Sequence, residues 1–210
     1  WTQSQVSIAE ILIRQDKLDE MQDHMQTLRQ KNPAQADQFY LLEGQVLTDA
    51  GLTQLAYDLY TTALVSSPDS EDLLYARALT AENLGDLVAA ERDMRRILAN
   101  DPENVRTMNA LGYTLADKTD RYEEALAYIT SAYEKSPEDP AIIDSMGWVQ
   151  YRLGNLDIAR QYLQQAWEMT SDSEIGAHLG EVMWQQGDQE AARKAWEKAT
   201  ALAPDNAVLQ

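Results

Sequence analysis

The chain contains no cysteine, which excludes disulfides, iron–sulfur clusters and thiol chemistry and fits a reducing or an oxidising compartment equally well. Basic residues are scarce: 17 against 35 acidic ones give a formal net charge of −18. That balance repels a phosphate backbone and removes the electrostatic term that supplies most nucleic-acid affinity. Nucleic acid is therefore not an expected partner, and an anionic membrane surface is disfavoured for the same reason. No apolar run approaches the ~18 residues of a membrane helix, and the first residues are amphipathic rather than signal-like. The chain begins at Trp1 and is expected to be a mature form or a fragment of a longer protein.

Chemistry-bearing patterns are equally sparse. Histidine occurs only as His24 and His178, in no zinc-binding spacing, so each is expected to be a lone surface or seam residue. No Gly-rich phosphate loop follows a strand, because no strand is predicted, and no serine or threonine has an evident histidine base. Asp172, Glu174 and the nearby serines lack the glycine and terminal glutamate of a calcium loop in the required places and are read as helix caps. Catalytic residues, cofactors and metals are not expected, and the chain is read as a non-enzyme.

What the sequence has in abundance is helix formers with 44% hydrophobic residues, enough to bury a core. They recur with a period. Between Met108 and Pro137, Leu111-Gly112 lies on a first helix, Tyr122 and Ala125 start a second, Ile129 and Ala132 continue its inner face, and Pro137 follows its end. The same order of small, large and proline positions recurs as Gly44, Ala56 and Pro68, as Ala78, Ala90 and Pro102, and as Gly180, Ala192 and Pro204. Weaker copies run through Ala9, Met21 and Pro33, with Asp16 at the turn where glycine is usual, and through Gly147 and Ala159, with Ser171 in place of proline. Six repeats result, spanning 2–36, 37–70, 71–104, 105–139, 140–172 and 173–206, with a tail 207–210 too short for a capping helix.

The turns have local causes. Gly85-Asp86, Gly154-Asn155 and Gly187-Asp188 pair a residue suited to the left-handed end of one helix with one that can cap the next. Asp139-Pro140 places a cap before proline at the first helical position. The fourth repeat is one residue longer, and 117–121 is predicted to be a lengthened turn. Trp196, Ala199 and Leu202 of the last helix have no further helix to cover them and are expected to be exposed unless truncation, self-association or a partner covers that end.

This pattern is the signature of the tetratricopeptide repeat, a helix–turn–helix unit of about 34 residues. The resemblance implies an all-α fold: one right-handed superhelical solenoid over 1–210, with six helix–turn–helix repeats and about twelve helices, whose neighbours supply one another's core. In the family the concave surface is lined by the second, fifth, ninth, twelfth and thirteenth residues of each first helix. Carried onto this chain, those positions include Tyr75, Leu79, Arg106, Asn109, Tyr113, Asp117, Asp144, Trp148, Tyr151, Arg152, Glu181 and Trp184. The aromatic members among them imply a groove for a peptide or protein segment, since Trp, Tyr and Arg concentrate binding energy once buried. Partial burial against adjacent helices is the other reading of each aromatic, and a solvated helix face the other reading of each carboxylate. The lysine, asparagine and arginine set with which some members hold chaperone carboxylates is not reproduced; only Asn109, Arg106 and Arg152 are similar.

A more particular likeness runs from Asn109 to Pro204, through the segments beginning Ala110-Leu-Gly-Tyr, Arg121-Tyr-Glu-Glu-Ala, Asp144-Ser-Met-Gly-Trp and Ala177-His-Leu-Gly-Glu. It resembles the C-terminal half of bacterial tetratricopeptide lipoproteins of the LbcA type. The resemblance implies a periplasmic adaptor, tethered to the outer membrane by an N-terminal lipid, that brings cell-wall hydrolases to a carboxyl-terminal processing protease. This chain holds no lipobox cysteine, so the anchor would belong to an upstream region. An assembly factor for an envelope or pilus complex is the alternative, in which the ends and convex face matter more than the groove. The identity of the partner and the oligomeric state are not legible in the sequence.

Overall fold

The computed structural model describes residues 2–203, which form twelve α-helices and one 3-10 turn (Pro33–Gln35), with no strand among the described residues. Contacts divide the chain into two compact units after Pro102. The first holds α1 (Thr2–Arg14), α2 (Leu18–Lys31), α3 (Ala36–Asp49), α4 (Thr53–Ser66), α5 (Glu71–Asn83) and α6 (Leu87–Asn100). The second holds α7 (Val105–Lys118), α8 (Tyr122–Lys135), α9 (Pro140–Arg152), α10 (Leu156–Met169), α11 (Ser173–Gln185) and α12 (Gln189–Leu202). The expected tail at 207–210 and Pro204 lie outside the described residues.

Turn chemistry follows the sequence at most sites. Gly85 takes φ +79° between α5 and α6, and the Asp86 side chain accepts from the Ala89 N–H at 3.0 Å. An Asp86→Ala substitution is expected to cost about 1 kcal/mol, the usual worth of such a cap, seen as a lower urea midpoint with unchanged slope. Asp139 and Asp172 cap α9 and α11 in the same way. Asp16 adopts φ 60°, so an aspartate fills the left-handed position that glycine fills in other turns; its short polar side chain is one of the few that tolerate it.

Two local expectations are corrected. Asn155 makes no cap bond to α10; its carboxamide instead donates to Gln150 Oε1 at 2.8 Å, folding back onto the preceding helix. Only part of 117–121 is turn, because Asp117 and Lys118 remain in α7. There Thr119 replaces the turn glycine: its hydroxyl donates to the Leu115 carbonyl at 2.6 Å and accepts from the Arg121 N–H at 3.1 Å.

In the first unit Met21, Met25, Phe39, Leu47, Leu73, Leu74 and Ile97 are fully buried in one continuous apolar cluster. Two carboxylates share that interior, and periodicity alone gives no sign of either. Asp93, 1% exposed, takes a two-pronged contact from Arg77 at 2.6 and 3.0 Å. Glu43, equally buried, is paired with Arg29; burial raises its pKa, and Arg29 pulls it part of the way back. In the second unit the core runs through Ile143, Ala159, Leu163, Ala166, Ile175, Leu179 and Val182.

Candidate functional site

The first helices of the second unit's pairs, α7, α9 and α11, contact in sequence, α7 with α9 and α9 with α11. The repeat therefore delivers the ninth residue of each, Tyr113, Trp148 and Glu181, to one region. Between them lies His178, only 4% exposed. Its Nδ1 is 3.0 and 3.1 Å from the two oxygens of Asp144, itself buried on α9. Its Nε2 is 3.4 Å from the Tyr113 hydroxyl, and that hydroxyl donates to Glu174 at 2.9 Å. The indole of Trp148 stacks on the imidazole at 4.2 Å with a 23° interplanar angle.

This arrangement suits an imidazolium: Nδ1–H donates to a carboxylate, Nε2–H faces the phenol oxygen, and the phenol proton passes to Glu174. Burial pulls the His178 pKa down, but the charge and hydrogen bond of Asp144, with help from Glu174 and Asp117, outweigh it and leave the pKa above the ordinary value. Tyr113 is shifted strongly upward, first by burial and then by the charges of Glu174 and Asp117. Tyr151 donates to Glu181 at 2.9 Å, and burial together with that carboxylate pushes its pKa up to about 12.

The remaining expected lining residues divide into two groups. Trp148 Nε1 donates to Asp117 Oδ1 at 3.2 Å, and Arg152 donates to the Asp117 carbonyl and the Tyr122 hydroxyl, each at 2.9 Å. These bonds fasten α9 to α7 and α8. Trp184 is 37% exposed, with its ring 5.6 Å from that of Trp196. Arg106 is exposed, while Asn109 is half-buried with its carboxamide oxygen out of solvent and without a hydrogen-bond partner. Tyr75 and Leu79 belong to the first unit, where Tyr75 packs on the core cluster and Leu79 is exposed.

A cavity of about 390 Å³ opens among Trp148, Tyr151, Arg152, Glu181, Trp196 and His178, with Ala177 beside them. His178 is thus no lone residue: it lies at the centre of the cluster. It escaped the sequence reading because its partners are 34 and 65 positions away. The one signal was that it directly follows the lining position Ala177, just as Asp144 fills that position in the preceding repeat. Trp196 and Ala199 are also corrected. Ala199 is fully buried beside Gly176, and the Trp196 indole donates to the Ala177 carbonyl at 3.1 Å while lying over Gly180; of the three, Leu202 remains half exposed.

Gly180 permits that close approach, because a Cβ there would overlap the Trp196 indole. A Gly180→Ala substitution is expected to displace the ring, break its bond to Ala177 and cost roughly 1–3 kcal/mol as an overpacked contact. A red-shifted, more solvent-exposed tryptophan emission together with a lower melting temperature would report it. Among the described residues no group of three or more His, Asp or Glu side chains is placed to hold a metal ion.

Similarity to known proteins agrees with this architecture. The tetratricopeptide-repeat family pattern matches residues 75–140 and 145–207. The chain belongs to the tetratricopeptide-repeat family. With that membership goes a general role as a scaffold for protein–protein interaction. A TPR repeat-containing protein of Pseudomonas aeruginosa is 40% identical over 178 residues, which is 85% of this chain and 30% of that protein. The chain therefore spans under a third of that relative's length. The type IV pilus assembly protein PilF of the same organism is 22% identical over 170 residues, covering 80% of this chain and 67% of PilF. The crystal structure of a thermophilic TPR protein from Thermus thermophilus superposes with a TM-score of 0.74 at 27% identity, covering 83% of this chain and 95% of that one.

Proposed function

We propose that this protein is a non-enzymatic scaffold that holds a peptide or protein segment in the α7–α9–α11 groove, and that it serves as an envelope adaptor delivering cell-wall hydrolases to a carboxyl-terminal processing protease. The observation that carries the groove assignment is the aromatic cavity beside Trp148, Tyr151 and Trp196, flanked by the partly exposed Trp184. Its polar groups are fixed by hydrogen bonds before any ligand arrives, which lowers the ordering cost of binding. The adaptor role rests on the sequence likeness between Asn109 and Pro204. A periplasmic location, with a tether to the outer membrane outside this stretch, follows from the same likeness.

The similarity to PilF favours a second reading, an assembly factor for an envelope or pilus complex, in which the outer faces are the contact surfaces. Photocrosslinking separates the two. A benzoylphenylalanine at position 184 reports on the groove, and one at position 158, where Ile158 of α10 is 44% exposed, reports on the outer helices. The adaptor reading expects cell-wall hydrolase or processing-protease adducts from position 184 and none from position 158. Adducts from position 158 alone, or adducts with pilus components, support the assembly reading instead.

A further inference from the structure

The walls, charges and size of the aromatic cavity specify more than a generic peptide groove. Its volume of about 390 Å³ falls at the low end of the range for small-ligand pockets, roughly 300–1,000 Å³, and has room for a long side chain. Three aromatic rings face it. Trp148 is committed on one face to His178 through a 4.2 Å stack, and Trp196 is held by its bond to the Ala177 carbonyl. Rings of this kind attract cations through their π faces. The second unit already uses that attraction twice, with the Arg152 guanidinium 5.0 Å above the Tyr122 ring and that of Arg193 5.9 Å from Trp184.

The charges point the same way. Glu181 accepts from the Tyr151 hydroxyl at 2.9 Å and from the Gln185 amide at 3.0 Å; both donors are neutral, and both act on the same oxygen, Oε1. Among the described residues Glu181 makes no ion pair. Arg152, the basic residue of the wall, is turned onto the Asp117 carbonyl and the Tyr122 hydroxyl, and a proton gained by His178 is balanced by Asp144. One carboxylate is thus left without a counter-charge beside an aromatic cavity. Tyr151 and Tyr113 both hold their protons more tightly than usual, chiefly through burial, with Glu181 and Glu174 respectively adding to it and Arg152 opposing it at Tyr151. The net charge of −18 acts at longer range and steers a basic partner toward the protein.

We infer that this cavity binds a basic side chain, lysine or arginine, projecting from a partner segment that lies in the groove, with Glu181 as its counter-ion and Trp148, Tyr151 and Trp196 as its walls. The inference rests on the groove reading and adds the chemistry of what enters it. It also accounts for the missing carboxylate-binding set: this site is built for the opposite charge.

The test uses the 210-residue chain and three capped pentapeptides, Ac-Ala-Ala-Lys-Ala-Ala-NH2 and its norleucine and Nε-acetyl-lysine counterparts, with tryptophan indole N–H signals followed by NMR. The lysine peptide is expected to shift the Trp148 and Trp196 signals and to bind at least about tenfold more tightly than either neutral peptide. Glu181→Gln is expected to remove that preference while helical content and melting temperature stay as in the parent. Equal affinity for the lysine and norleucine peptides would overturn the basic-side-chain assignment and leave the groove standing as an apolar site. Absence of any shift with the lysine peptide would also overturn it, whereas the groove itself stands or falls on the crosslinks from position 184. Retention of the lysine preference in Glu181→Gln would exclude Glu181 as the counter-ion and overturn the inference as stated.

Discussion

An Asp144→Ala substitution is expected to lower the unfolding free energy by about 3–5 kcal/mol, because it removes one member of a buried charged pair and strands the other. His178 would keep its burial but lose both Nδ1 contacts, at 3.0 and 3.1 Å, and Trp148 would stack on an imidazole forced toward its neutral form. The pH dependence distinguishes this from simple loss of packing. The folded-state pKa of His178 lies above the unfolded value of ~6.5, so the folded protein binds more protons between those two values. The stabilisation is fully present below pH ~6.5 and is lost as pH rises through the folded pKa. Urea unfolding from pH 6 upward should therefore show parent stability falling once pH exceeds the unfolded value of ~6.5, with His178→Gln and Asp144→Asn flattening that slope. Stability that is flat or rises over this window in the parent would contradict the ion-paired assignment.

A Trp184→Ala substitution is expected to weaken capture of a groove-bound partner by about 30-fold or more, the 2 kcal/mol or greater loss typical of an interface hot spot. Trp184 is a cleaner probe than Trp148 or Tyr113, although all three occupy lining positions. Trp148 stacks on His178 and is bonded to Asp117, and Tyr113 is bonded to Glu174, so removing either disturbs the helix seam as well as the groove. Trp184 is 37% exposed and meets the Trp196 ring in a tilted contact, 5.6 Å between centroids and 36° between planes, without holding helices together by a hydrogen bond. Partner affinity measured by surface plasmon resonance should drop while the circular dichroism spectrum is retained. Undiminished capture would remove Trp184 from the contact surface. A companion Trp148→Ala variant should lose both affinity and stability, and the difference between the two profiles measures how much of the site is scaffold.

The helices were legible because the repeat enforces them. Small residues such as Gly112 and Gly180 permit a partner helix to approach, glycine or a tolerated aspartate ends the first helix, and Asp or Asn opens the next. Asn155 shows the limit of that reading: the residue type is right for a cap, but its side chain found a better partner in Gln150. Trp196 shows another, since a large residue on a last helix reads as uncovered until the glycine beneath it is placed in three dimensions. Phase also gave the expected lining positions, with Tyr113, Trp148 and Glu181 at the ninth place of successive first helices. Phase gives the direction of a side chain and says nothing of what it meets.

The sequence by itself determined the helical repeat, its period and the set of side chains directed toward one face, because these depend on interactions within about 34 residues. Only the tertiary structure decided which of those side chains are tied into contacts between helices and which remain exposed. His178 meets Asp144 and Tyr113 across three different helices, with Trp148 stacked above; burial raises the worth of each contact, and the pKa values of His178 and Tyr113 are both raised there. Pairings of that kind are set by how neighbouring repeats pack, and a one-dimensional pattern holds no record of them. The stretch around Tyr113 therefore announces the fold, and the packing of α7, α9 and α11 determines which of its side chains are buried and which are left exposed.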